Sequence, residues 1–200
     1  MDQALRLLLP LYFILYFGIA FVAKSVVVAR KIGKSPLVLP KDDSAYGLIG
    51  RYFKWMLMAM FVYVMFFYLR PDYFASYLNF NSLFSEWAKV AGLALLAFAL
   101  LWTIMAQNHM RNSWRIGIDT ETKTELITAG LFQYSRNPVF LGMIICLVGL
   151  FMVTPNTITL LFLVLGYVLI QVQIRLEEDF LTQQHGQDYL KYKQKVRRII

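Results

Sequence analysis

Residues 137–174 read NPVFLGMIICLVGLFMVTPNTITLLFLVLGYVLIQVQI, 38 consecutive positions without a charge between Arg136 and Arg175. As one helix, at roughly 1.5 Å per residue, the run would extend about 57 Å. That is nearly twice the ~30 Å hydrocarbon core of a bilayer. Thr154-Pro155-Asn156 near its middle is polar and carries a proline, which suits a reversal of the chain. The run therefore reads as two antiparallel apolar helices, about 138–153 and 157–175.

Working outward, Leu7–Ala23, Trp55–Leu69 and Val90–Met110 are also free of charge, and predict spans at about 5–23, 51–69 and 88–107. The apolar fraction is 58%, against roughly 45–50% for soluble domains. A soluble helical protein is disfavoured, because five such segments leave too little polar surface to cover them. The expected fold is an all-α integral membrane protein with five transmembrane helices and a C-terminal amphipathic helix. Residues 51–69 and 138–153 are short for a span and call for tilt or local thinning. The first segment lacks the strongly basic start of a cleaved signal and reads as a retained span. The single cysteine, Cys146, excludes an intrachain disulfide and is expected to be a buried apolar side chain.

The net charge of +8 would suggest nucleic acid in a soluble chain, but here it is sorted by loop. Lys24, Arg30, Lys31, Lys34, Lys41, Arg51 and Lys54 flank the first connection, and Arg111, Arg115, Lys123 and Arg136 the third. The tail holds Arg175, Lys191, Lys193, Lys195, Arg197 and Arg198, while Arg6, Arg70 and Lys89 stand on the other side. This 17 to 3 division predicts the N-terminus outside and the C-terminus cytoplasmic. The charge then reports topology and attraction to anionic lipid, with no nucleic-acid partner. Between 70 and 87, Pro71, Asp72, Tyr73, Phe74, Tyr77, Phe80, Phe84 and Trp87 suit a loop lying among headgroups.

Polar chemistry is thus confined to the cytoplasmic face, in two segments. The first ends in Arg136-Asn137-Pro138, where Asn137 can cap a helix that starts at the proline. Read blandly, this is a helix start with a snorkelling arginine; read functionally, it is a helix mouth that receives an anion. The second begins Arg175-Leu176-Glu177-Glu178-Asp179. Three adjacent carboxylates could simply solvate a helix end, yet beside anionic lipid they need basic partners, with Arg175, Arg136, Arg115 and Arg198 as candidates. Gly186 suits a C-cap or kink, and Tyr189, Tyr192 and Val196 then recur at helical spacing. No metal-ligand spacing and no phosphate-binding glycine loop occurs. The spans carry no buried charge of the kind an ion-coupled transporter uses.

Together these segments resemble the isoprenylcysteine carboxyl methyltransferase and phospholipid methyltransferase superfamily, and its bacterial members in particular. The resemblance rests on Trp114-Arg115, on Gly130-x-Phe132-x-x-x-Arg136-Asn137-Pro138-x-Phe140-x-Gly142, on Glu177-Glu178-x-x-Leu181-x-x-x-His185-Gly186-x-x-Tyr189-x-x-Tyr192 and on Val196-x-Arg198. It covers residues 111–200 as a catalytic region, with 1–110 contributing three spans to a single membrane domain. It implies S-adenosylmethionine as methyl donor and a lipophilic acceptor that enters from the bilayer. It also implies a donor pocket of Arg136, Asn137, Pro138, Glu177, Glu178, Tyr189 and Arg198. Two departures stand out: Asn137 occupies the place of the usual histidine, and Phe140 that of a common tyrosine.

Methyl transfer from a sulfonium is an in-line displacement that needs proximity and desolvation. A carboxylate acceptor needs no base, only a cation to orient it, for which Arg175 is the candidate. An amine or thiol must lose a proton, which makes Glu178 or Glu177 the candidate base. Carboxyl O-methylation of an isoprenylcysteine-like molecule ranks first, with lipid N- or C-methylation and thiol S-methylation as alternatives. A transporter or scaffold is the reading without methyl transfer. The expected setting is a bacterial inner membrane with the site facing the cytoplasm, a membrane lipid or lipophilic small molecule as partner, and no obligate protein partner.

Overall fold

The computed structural model describes residues 2–40, 42–70, 73, 80, 85–117, 119 and 124–200. Lys41, Pro71, Asp72, Phe74, Tyr77, Phe84 and Lys123 lie outside the described residues. The described residues are mainly α-helical, with a short parallel strand pairing. Helix α1 (Asp2–Phe17) runs through a π-helical turn (Gly18–Ala23) into α2 (Lys24–Ile32). Helix α3 (Ala45–Leu69) and α4 (Glu86–Met110) follow, each started by a serine, Ser44 or Ser85, that accepts a backbone N–H. Helix α5 (Pro138–Val153), α6 (Thr157–His185) and the short α7 (Gln187–Lys195) complete the order.

Four helices among the described residues are long and apolar enough to cross a membrane: Gln3–Ile32, Ala45–Leu69, Glu86–Ser113 and Thr157–His185. The expectation of five transmembrane helices is therefore corrected. Helix α5 has only 16 residues, about 24 Å at ~1.5 Å per residue, short of the ~30 Å core. The charge-free run divides unevenly: the turn leaves 16 residues before it, while α6 continues to 29 residues through charged sequence. The predicted orientation of the termini depended on five crossings and falls with that count.

Aliphatic and aromatic side chains such as Leu7, Ile14, Phe61, Val62, Leu101, Val164 and Val168 are exposed on the long helices. A face of that kind is stable only against lipid. Inside, Leu9, Tyr63, Leu96, Leu147, Phe162 and Ile170 form one core cluster. Helix α4 packs most extensively on α5, because glycines remove the side chains between them. A Cβ at Gly142 would collide with Thr103, and one at Gly92 would come within 2.9 Å of Val153. The predicted turn holds: Asn156 accepts from Ile158 N and Thr159 N at 3.0 and 3.1 Å and caps α6.

At the opposite end of these helices, Leu37–Val38 pairs in parallel with Ile116–Gly117. Gly117 has φ +93°, and a Cβ there would strike the Val38 carbonyl. Buried Asp119 ties the two segments further, meeting Lys34 at 3.1 Å and Arg115 at 3.2 Å. Gly186 separates α6 from α7 with φ +55°, as expected of a helix-ending glycine. Helix α7 buries Tyr189 and Tyr192 and leaves Lys191 and Lys195 exposed, so it is two-faced as expected.

Candidate active site

Consecutive residues on a helix point about 100° apart, so the acidic triplet cannot act as one patch. Glu178 is buried at 1% exposure, Glu177 is half-buried and Asp179 is exposed. Burial of Glu178 is matched by its partners. Its Oε1 accepts from Arg136 Nε at 3.0 Å, Arg136 Nη2 at 2.8 Å and Asn137 Nδ2 at 3.4 Å. Its Oε2 accepts from Arg198 Nε at 3.1 Å and Nη2 at 2.8 Å, with Lys193 Nζ 3.8 Å away. One carboxylate thus gathers three cations from two other parts of the chain.

Arg136 is equally committed. Its Nη1 donates to Lys193 O at 3.1 Å and to Val196 O, and its backbone N–H donates to Arg197 O at 3.0 Å. Asn137 stands at the N-cap position of α5, but its side chain does not cap that helix. It donates instead to Glu178 and, at 3.0 Å, to Arg198 O. The tail residues 196–198 are therefore strapped across the start of α5. The loop before α5 is held by Gly130, whose φ is +65° and whose missing side chain leaves room for the His109 ring. Leu131 N–H donates to His109 Nδ1 at 3.3 Å.

Tyr189 and Tyr192 close the site from α7, their rings 6.0 Å apart. Burial raises the Tyr189 hydroxyl above its ordinary value, and the nearby Glu178 charge adds to the effect. Burial pushes the Tyr192 hydroxyl up to about 12. It stays protonated at neutral pH and donates to Phe132 O at 2.6 Å. The hydrogen bond from Arg198 to Glu178 holds the guanidinium further above its ordinary value.

Arg136, Asn137, Pro138, Glu178, Tyr189 and Arg198 thus stand together at one end of the apolar helices. Glu177 stands beside them on α6 but outside the cluster, accepting from Gln173 Nε2 at 2.8 Å. Arg175 is not brought in: it is exposed and donates back to Gln171 O at 2.7 Å. Sequence reasoning missed Lys193, one basic residue in a tail of several, and Gln173, an uncharged polar residue inside an apolar run. The strap uses backbone carbonyls of Lys193, Val196 and Arg198, for which side-chain chemistry carries no signal. A shallow, open depression at the C-terminal end of α6 is lined by Thr124, Glu125, Leu126 and His185.

These helices and this polar end define a membrane-embedded protein with a site where apolar helices meet water. The chain belongs to the phospholipid methyltransferase family, whose sequence profile matches residues 87–188. That range takes in α4, α5 and α6 with the Arg136–Glu178 cluster. Membership supports S-adenosylmethionine-dependent methyl transfer as the general activity. No curated protein and no solved structure gives a significant match.

Proposed function

We propose that the chain methylates a lipophilic acceptor from S-adenosylmethionine, with a carboxylate of the isoprenylcysteine kind first among acceptors. The observation that supports this preference is the saturation of Glu178, which leaves Glu177, already committed to the donor, as the remaining base of the two glutamates. Both of its oxygens are engaged by arginine, so it has no capacity to receive a proton. A carboxylate acceptor requires no such step. The cationic donor fits the donor set: Glu177 is half-buried with one hydrogen bond, from Gln173, and keeps acceptor capacity for an ammonium or sulfonium. The bound donor would supply a methyl group activated by its sulfonium charge.

In this arrangement Glu177 meets the donor, while Arg136, Asn137, Pro138, Glu178, Tyr189 and Arg198 frame its pocket. The strap of residues 196–198 excludes water from the start of α5, which strengthens every electrostatic contact there. Arg175, exposed at the edge of α6, is left to meet an acceptor headgroup from the lipid side. A phospholipid amine is the second reading, favoured by the family description; its departing proton would fall to Glu177. The site faces the cytoplasm of a bacterial inner membrane in this proposal, supported by the basic residues gathered around it.

Calorimetry of the protein in lipid nanodiscs should show saturable heat with S-adenosylmethionine. Absence of binding in both nanodiscs and detergent overturns the proposal. With labelled donor, a prenylcysteine analogue should acquire base-labile label, as a methyl ester does. Base-stable label in membrane lipid would select the amine reading instead.

A further inference from the structure

The polar end holds a second group of side chains that the scheme above leaves unused. Gln107 Nε2, Trp114 Nε1 and Ser25 Oγ are buried and have no hydrogen-bond partner. Gln107 is 1% exposed and Trp114 4%. Burying a donor without an acceptor is unfavourable, so three in one region point to a ligand that supplies oxygen.

The packing of Trp114, together with helix register, places the three in one region. Trp114 forms one cluster with Val28 of α2, Ala106 of α4 and Val139 of α5. Ser25 precedes Val28 by three residues and shares its helix face. The register of α4 against α5 sets Gly92 at Val153, Leu96 at Gly149 and Thr103 at Gly142. One turn further, the same register brings Gln107 opposite Pro138, the first residue of α5. There Trp102 Nε1 donates to Pro138 O at 2.8 Å.

The start of α5 adds donors of its own. With the Asn137 side chain turned to Glu178, the first amides of the helix, those of Val139 and Phe140, receive no cap from it. Helix amides of this kind favour negative charge. Lys24 contributes a cation, its ammonium held by the neutral Asn108 at 3.1 Å. The region offers donors and positive charge, and the carboxylate of Asp119, five residues after Trp114, is taken up by Lys34 and Arg115. Its walls are apolar, from Phe21, Val28 and Val139, and on α2 the adjoining Val26 and Val27 are exposed, at 44% and 47%.

We propose that the start of α5, with Trp114, Gln107 and Ser25, holds the carboxylate of a membrane-borne amphiphile. This amphiphile is a ligand distinct from the acceptor that Arg175 is left to meet, so the proposal stands apart from the methyltransferase reading. The hydrogen bonds supply recognition of the oxyanion, and the apolar wall receives the chain.

The test follows the Trp114 indole N–H by NMR in nanodiscs of zwitterionic lipid, assigned with Trp114→Phe. Dodecanoate should shift this resonance saturably, whereas methyl dodecanoate and acetate should not. Gln107→Leu should raise the dissociation constant for dodecanoate about 10-fold or more. Trp87→Phe, at a residue 82% exposed, should leave it unchanged. No shift with dodecanoate overturns the proposal, as does an equal response to the ester or to acetate. A shift caused by S-adenosylmethionine, with dodecanoate competing for it, would assign the pocket to the donor and overturn it too. If Gln107→Leu fails to fold, the wild-type comparison of acid and ester decides alone. Donor calorimetry on the same sample separates the two readings. Donor binding without dodecanoate binding removes only this inference, and dodecanoate binding without donor binding removes only the methyltransferase reading.

Discussion

At the scale of the residue, two adjacent glutamates have different work. Glu178 is a strut: it neutralises Arg136, whose side chain is only 7% exposed, and helps to hold the strap. Removing one member of a buried pair costs about 3–5 kcal/mol. Because glutamine still accepts a hydrogen bond, Glu178→Gln should lose about 3 kcal/mol. Arg198, at 37% side-chain exposure, contributes little to that figure, since water screens it. Glu177→Gln removes no ion pair and should change stability by less than about 1 kcal/mol. It should weaken donor binding by about 10-fold or more, as loss of a charge-assisted contact does. Thermal unfolding and donor calorimetry on both variants check this. Equal stability losses, or unchanged donor affinity for Glu177→Gln, would sink the division of labour. The two neighbours look alike in sequence, and only their angle on α6 separates them.

At the scale of the element, the antiparallel α4–α5 pair places the site. Its axes come close because Gly92, Gly142 and Gly149 face the partner helix, and the resulting register aligns the last turn of α4 with the first of α5. Gly142→Ala would drive a methyl group into the Thr103 hydroxyl, so it should destabilise by about 1–3 kcal/mol. In a Thr103→Ala background the added cost should shrink, since the colliding oxygen is gone. Thr103 also meets the Tyr16 hydroxyl at 3.0 Å, so the double-mutant cycle is needed to isolate the collision from that lost bond. Additive effects in thermal unfolding would show that the helices do not approach as described. The glycines were visible in the apolar runs, but nothing local says which partner each one faces.

At the scale of the molecule, two long-range ties hold the polar end together. One is the strap from the tail to Arg136; the other joins the first and third connections through Val38–Gly117 and Asp119. Because of the second tie, Ser44 and Ser113 must lie on the same side of the membrane. Cysteines placed there should react with an impermeant thiol reagent from one side only, and from the cytoplasmic side if the basic residues set the orientation. Cys146 is buried and should stay silent as background. Labelling of the two positions from opposite sides would refute the paired connections.

The sequence alone determined that the chain is a bundle of apolar helices, that it turns at Thr154-Pro155-Asn156, and that its polar residues fall in two segments, around Arg136 and around Glu177-Glu178-Asp179. These follow from charge-free length, proline and the composition of short motifs, which act locally and leave a trace in the order of residues. Tertiary structure decided that α5 gains no helical residue beyond Pro138–Val153, which keeps it below the four spanning helices. It also decided which glutamate the arginines consume, that Asn137 deserts its own helix, and that Gln107 and Trp114 are buried. Each of those outcomes rests on the angle of a side chain about its helix and on the register between helices distant in sequence. Those quantities are set by close packing of the whole bundle, where a rotation of one helix by a single residue would exchange Glu177 for Glu178.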